Sequence, residues 1–259
     1  MGFVQVERAG GIVTVTLTNP AKRNAIPSAA WPELEGAFRE VAARADDRCL
    51  VVTGAGDDFC SGADVSPDGG GPAGAGHPLR FMRTVGSAID ALYAVPQPVV
   101  ARVAGVCVGA GLSIALACDL VVAAADARFS QIFARRGLSI DAGGSWVLPR
   151  IVGLQKAKEL ALLADVLGAD QAERLGLVTR VVPRDDLDAT VDDLARRLAA
   201  GPPLALSSTK RLLDQSFGVS LAEALEAEAQ AQAVNLGTRD VAEAMRAFLE
   251  KREATFGGH

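Results

Sequence analysis

The sequence predicts an α/β core over residues 1–200 followed by a helical region over residues 201–259, and three observations carry that prediction. Short apolar or alternating runs of strand type interleave with segments of helical spacing through the first part of the chain. Glycine-containing turns separate several of them. After Val181-Val182-Pro183 the composition changes, with no convincing strand and three further helical stretches. A chain of 259 residues that is 49% hydrophobic can bury a full-sized core.

The elements follow in order. Phe3 to Glu7 and Ile12 to Thr18 alternate apolar and polar residues around Ala9-Gly10-Gly11, the pattern of two half-buried strands joined by a turn. Ser28 to Arg44 is helical in spacing, with Trp31, Leu34, Phe38 and Val41 on one stripe, and Cys49 to Thr53 is a continuous apolar strand. Ser66 to Gly76 holds five glycines and two prolines in eleven residues, so it is expected to be a mobile loop. A helix from about Leu79 to Tyr93, a strand from Val99 to Val103, a second helix from near Gly111 to Asp119 and a strand from Leu120 to Ala123 come next. Asp170 with Glu173 forms a capping-box pattern for a short helix. The tail helices are expected at Leu204 to Gln215, Ser220 to Leu236 and Thr238 to Arg252, with Ser220 and Glu223 as a second capping box.

Composition excludes several functions. A net charge of -5 disfavours non-specific attraction to nucleic acid or an anionic membrane. Cys49, Cys60, Cys107 and Cys118 have no C-x-x-C spacing and the histidines are His77 and His259, which argues against a metal site and a His-dependent triad. The cysteines read as reduced residues of a cytoplasmic protein, most of them in apolar segments, with Cys60 nearer a loop. The N-terminus lacks a signal-peptide pattern. The 16 uncharged residues between Arg102 and Asp119 fall short of the ~20 that a spanning helix needs.

Two turns expose backbone N–H groups: Cys60-Ser61-Gly62-Ala63-Asp64 after a strand, and Gly105-Val-Cys-Val-Gly109-Ala110-Gly111 between a strand and a helix. The second lies where a helix leaves unpaired donors and its positive dipole end, a place to hold an oxyanion, although glycines there also serve plain packing. No G-K-[ST] follows, and the G-x-G-x-x-G fingerprint is missing.

Five ordered blocks resemble the crotonase (enoyl-CoA hydratase/isomerase) family: Asn19-Pro20-Ala-Lys22-Arg23-Asn24-Ala25, Phe59-Cys-Ser-Gly-Ala-Asp64, Gly109-Ala-Gly111 through Ala117-Cys118-Asp119, Ala127-Arg-Phe129, and Gly143-Gly144. The resemblance extends to Ala247-Phe-Leu-Glu-Lys-Arg252. It implies a crotonase fold of repeated ββα units with C-terminal helices that form a homotrimer or homohexamer. It implies an acyl-CoA substrate, with coenzyme A as part of the thioester and no permanently bound cofactor. Ala63 and Ala110 stand at the oxyanion-hole positions, and an Ala at 110 is tolerated if its φ is negative. Lys22, Arg23, Ala25, Ser61, Gly62 and Asp64 match positions around the coenzyme, and Phe248 and Lys251 match those a neighbouring subunit supplies. Taken without the family, Lys22, Arg23 and Lys251 read as solvated charges.

The resemblance breaks where hydratases of the family carry two glutamates, since Ser113 and Phe133 stand there. Ser113 is expected to bond back to its own helix, and Phe133 to be core or pocket wall. Asp141, in a block like that of isomerases of the family, is the alternative acid. It reads either as general base or as a helix N-cap. The implied reaction is a double-bond shift from 3-enoyl-CoA to 2-enoyl-CoA, with Trp146 or Phe133 lining an apolar pocket. A hydratase using Asp141 or Asp64, and a non-catalytic acyl-CoA-binding trimer, are the rival readings.

Overall fold

A computed structural model describes residues 2–66, 69 and 77–259. The chain opens with strands β1 (Val4–Ala9) and β2 (Ile12–Leu17), paired antiparallel from Val4 opposite Leu17 to Ala9 opposite Ile12. Gly10 and Gly11, at φ 58 and φ 80, make the two-residue turn that only left-handed residues close. Then come α1 (Trp31–Ala43), β3 (Cys49–Gly54), α2 (Pro78–Tyr93), β4 (Val99–Val103), β5 (Val106–Val108), α3 (Ala110–Ala117), β6 (Leu120–Ala124) and β7 (Arg128–Ser130). The chain continues through α4 (Gly144–Val152), α5 (Leu154–Leu163), β8 (Leu167–Gly168), α6 (Ala169–Arg174), β9 (Arg180–Val182) and α7 (Leu187–Ala199). It ends with α8 (Pro203–Gln215), α9 (Leu221–Leu236) and α10 (Arg239–Glu250). The predicted loop of Ser66 to Gly76 lies outside the described residues, apart from Ser66 and Gly69.

Among the described residues the main sheet runs β1-β2-β3-β4-β6-β9, parallel except for the opening hairpin, and a smaller sheet runs β5-β7-β8. Strand β3 is buried along its whole length, as a central parallel strand must be. Its Leu50 and Val52 join the core beneath α1, where Trp31, Leu34, Phe38 and Val41 are each at most 1% exposed. Its Cys49 and Val51 face the other way, onto Leu187, Val191 and Ala195 of α7. Successive segments repeat one plan, a strand in the main sheet, a strand in the smaller sheet and a helix: β4-β5-α3, then β6-β7 leading to α4.

Three expectations need correction. Helix α7 was not foreseen, although Leu187, Val191, Leu194 and Leu198 carry helical spacing; the flanking aspartates and arginines masked a helix that covers the second face of the sheet. Asp170 does not cap α6. Pairing of Leu167–Gly168 with β7 starts the helix at Ala169, so Gly168 is the N-cap and the Glu173 carboxylate instead accepts from the Val181 amide at 2.9 Å. Cys60, which looked loop-like, is fully buried with its thiol pushed up to about 12 by desolvation, and the other three cysteines are also buried and free. The capping box of Ser220 and Glu223 is present as expected.

Helices α8 to α10 bury little: Ala231, Asp240 and Ala247 are their buried residues, while Leu221, Leu236, Phe248 and Leu249 are 72–80% exposed. Among the described residues no helix is long and apolar enough to cross a membrane, and no cluster of His, Cys, Asp or Glu could hold a metal ion. Replacing Phe38 by Ala should cost about 3–5 kcal/mol of folding stability, measured as a lowered urea midpoint with an unchanged slope.

Candidate active site

The site is organised by one short parallel contact. The Cys60 amide donates to Val106 O at 2.9 Å and the Val108 amide to Cys60 O at 3.0 Å, which registers Cys60 against Cys107. Three residues further along each segment stand Ala63 and Ala110. Gly62 (φ 94) and Gly109 (φ 57) turn the two chains there. A Cβ on Gly62 would lie 3.2 Å from Val108 O, and one on Gly111 would lie 2.5 Å from Cys60 O, so the second position has no room for any side chain. Ile26 pairs with the turn on the far side, its amide donating to Gly62 O and its carbonyl accepting from Asp64 N, both at 2.8 Å. Among the described residues the amides of Ala63 and Ala110 meet no protein acceptor. Ala110 opens α3 and is not among the left-handed residues, which meets the condition set for a side chain there.

Both alanines border a cavity of about 800 Å³, a size suited to a substantial organic ligand. Lys22, Arg23, Ala25, Ser61, Gly62, Asp64 and Asp141 also line it, so one site gathers these predicted residues. Phe248 and Lys251, at the far end of α10, do not line it. Phe81, Met82 and Val85 of α2, with Phe133 and Leu138, give an apolar wall. Phe133 is 6% exposed and forms wall as expected. Trp146 does not: it is 40% exposed outside this cavity, with the Arg150 guanidinium 3.8 Å above its ring. Its place in the first turns of α4 carries it around the helix from Asp141, onto the Tyr93 edge at 5.1 Å.

One part of the cavity lining is held by charge and by a buried amide. Lys22 Nζ donates to Asp64 Oδ2 at 2.9 Å and to Ser66 Oγ at 2.8 Å. Burial works to raise the Asp64 carboxyl, but the hydrogen bonds from Lys22 and Ser66 outweigh it and hold the group below its ordinary range. A carboxylate so paired is a poor base, which weakens the reading of Asp64 as a water activator. Asn24, fully buried and at φ 55, fixes the Lys22-Arg23 loop: its Nδ2 donates to Ala55 O and Asp58 O at 2.9 and 2.7 Å, and its Oδ1 accepts from the Asn19 amide at 2.9 Å. That role was missed, although Asn is the residue type that best tolerates a left-handed backbone apart from glycine.

Asp141 follows the 3₁₀ turn Ile132–Arg136 and precedes Ala142 (φ 49) and Gly143 (φ 76). Gly143 is the N-cap of α4 and no side chain caps that helix, so the capping reading of Asp141 is set aside. Among the described residues no hydrogen bond reaches its carboxyl, and Oδ1 is buried without a partner. Desolvation raises its pKa to about 6. Ser113 departs from expectation: its hydroxyl donates to the Asp141 carbonyl at 3.2 Å and makes no bond to its own helix. The packing of α4 against α3 brings that carbonyl within reach. His77 has a local role, its Nδ1 accepting from the Leu79 amide at 3.2 Å at the start of α2.

A family model for enoyl-CoA hydratase/isomerase matches residues 7–259. The chain belongs to the enoyl-CoA hydratase/isomerase family. It is therefore an enzyme of the crotonase fold, in a family that acts on CoA thioesters. A Rhodobacter capsulatus protein named "Probable enoyl-CoA hydratase" is 37% identical over 255 residues, covering 98% of each chain. The 1,2-epoxyphenylacetyl-CoA isomerase of Escherichia coli is 34% identical over 260 residues, covering 100% of this chain and 99% of its own. The crystal structure of enoyl-CoA hydratase from Bacillus anthracis superposes with a TM-score of 0.93 at 29% identity, covering 99% of this chain and 100% of that one. The family members so named thus include both hydratases and an isomerase.

The Asp141 carboxyl carries a consequence for stability. Its folded pKa of about 6 lies above the ~3.9 of an unfolded aspartate. The unfolded chain therefore releases this proton first as pH rises, and stability falls between about pH 4 and pH 6 and stays lowered above. Asp141→Asn should stabilise the fold by roughly 1–2 kcal/mol at pH 8, after discounting for the solvent on the open side of the carboxyl, and by little at pH 4. Urea unfolding at the two pH values measures it.

Proposed function

We propose that this enzyme isomerises enoyl-CoA thioesters, moving a double bond from C3–C4 to C2–C3. The observation that carries the proposal is the desolvated Asp141 carboxyl, which shares a cavity with the amides of Ala63 and Ala110, all three without a hydrogen-bond partner among the described residues. The family resemblance, which matches Ser113 and Phe133 to the two glutamates of hydratases, supports the same reading. In the proposed reaction Asp141 removes a proton from C2, and the electrons of that bond flow onto the thioester oxygen. The amides of Ala63 and Ala110 hold the resulting dienolate, each such donor being worth about 3 kcal/mol in a transition state. The protonated Asp141 then returns its proton to C4. The C3–C4 π electrons form the new C4–H bond, the C2–C3 double bond forms, and the thioester carbonyl is restored. One carboxyl serves both steps, and a pKa of about 6 suits a group that must accept and return a proton near neutral pH.

Lys22 and Arg23, with Ala25, Ser61, Gly62 and Asp64, all of which line the cavity, are proposed to hold the coenzyme part of the substrate. Phe248 and Lys251 of an adjacent copy are proposed to complete that contact. The exposed apolar residues of α8 to α10 support assembly of residues 201–259 into a homotrimer or homohexamer around cores formed by residues 1–200. Hydration is the second reading, favoured by the hydratase names among the relatives.

Assays of 3-hexenoyl-CoA isomerisation and crotonyl-CoA hydration side by side should show the first reaction dominating. Asp141→Asn should lower isomerisation roughly 10²- to 10⁴-fold with CoA binding retained; unchanged turnover would eliminate Asp141 as the base. In the wild-type enzyme kcat/KM should rise with pH through about 6 and then level, because the base works only when deprotonated.

A further inference from the structure

The carboxyl of Asp141 has no hydrogen-bond partner among the described residues, so its direction is set by the backbone that carries it. That backbone is unusual. Ala142, directly after it, has φ 49, and Gly143 has φ 76. A left-handed conformation is strained for alanine and persists where surrounding contacts impose it. The Asp141 carbonyl supplies two such contacts: it accepts from the Gly144 amide at 2.9 Å and from the Ser113 hydroxyl at 3.2 Å. The first belongs to the turn itself. The second comes from a different helix, α3, whose first residue is Ala110.

Ser113 is fully buried, and its own amide already bonds the Gly109 carbonyl within the helix at 3.1 Å. Its hydroxyl spans instead to the Asp141 turn. Gly144 makes the approach feasible, since a Cβ there would sit 2.9 Å from Ser113 Oγ. One short helix therefore begins with Ala110, which lines the cavity, and three residues on bonds the turn that carries the cavity-lining Asp141.

We propose that Ser113 is a positioning residue, holding the Asp141 turn in fixed geometry relative to the Ala110 amide on the same helix. The inference rests on the reading of Asp141 as the proton carrier. Ser113 touches no reacting atom; it fixes the distance between the group that takes the proton and the group that receives the charge. Misplacement of a reacting group by about 1 Å costs on the order of 10²-fold in rate.

The test compares Ser113→Ala, Ser113→Thr and Asp141→Asn with the wild type on 3-hexenoyl-CoA. Ser113→Ala removes only the hydroxyl oxygen, so a folded protein is expected, checked by circular dichroism and the thermal midpoint. Its kcat should fall roughly 10- to 100-fold with KM changed by less than about twofold. Its kcat/KM profile should also show a displaced acid limb, because a loosened turn changes the solvation of the Asp141 carboxyl. Ser113→Thr, which keeps the hydroxyl, should recover most of the loss. Full activity in Ser113→Ala, a loss shared equally by KM and kcat, or a Ser113→Thr no better than Ser113→Ala would each overturn the positioning role. A dead Asp141→Asn beside a fully active Ser113→Ala would reject Ser113 alone, whereas a fully active Asp141→Asn would reject the reading on which it rests.

Discussion

The site depends on the parallel contact between Cys60 and strand β5. Two backbone hydrogen bonds there, to Val106 and from Val108, set two chain segments in register before either reaches the cavity. Everything distal inherits that register. Glycines at 62 and 109 turn both segments, the absence of a side chain at 111 lets α3 close to Cys60, and Ala63 and Ala110 line one cavity with amides that meet no acceptor among the described residues. Backbone carries this geometry, so side chains can vary around it, and Ala at 110 needs no compensation because its φ is helical. The buried thiol of Cys60 belongs to the same packing, with its Sγ 3.1 Å from Asn24 O, and burial keeps it protonated.

The carboxyls at the cavity divide by environment. Asp64 sits on a lysine and a serine hydroxyl, which hold it ionised and tie the loop of Lys22 to the turn of Ala63. Asp141 has desolvation and, among the described residues, no compensating donor. Two groups of one chemical type thus acquire opposite shifts, the first held ionised and the second drawn toward its protonated form. A carboxyl that is desolvated without a compensating donor is unfavourable for folding once it is ionised.

Much of this was legible in the sequence. Period and punctuation gave the hairpin, the stripe of α1, the strands at Cys49, Val99 and Leu120, and the three tail helices, because each is a local pattern strengthened by burial. The five family blocks led to the residues that line the cavity. What escaped depends on tertiary distance or on competing signals. Helix α7 has a helical stripe interrupted by charge. Asp170 looked like a cap because the pairing of Leu167 and Gly168 with β7, which shifts the helix start, is non-local. Trp146 sits within five residues of Asp141 yet faces Tyr93 and Arg150, since direction around a helix depends on where the helix begins. Ser113 read as bonded to its own helix because nothing local announces a carbonyl 28 residues away in the chain.

The central claim is that one carboxyl carries one proton between two carbons of the substrate. Isotope transfer tests it most directly. A 3-enoyl-CoA dideuterated at C2 is converted in ordinary water under single-turnover conditions, and the product is read by mass spectrometry and NMR. With substrate filling the cavity and excluding water from Asp141, the abstracted deuteron is returned in competition with exchange, so deuterium should appear at C4 in a measurable fraction of the product. Product with no deuterium at C4 above background, and hydrogen from solvent there instead, would contradict the account.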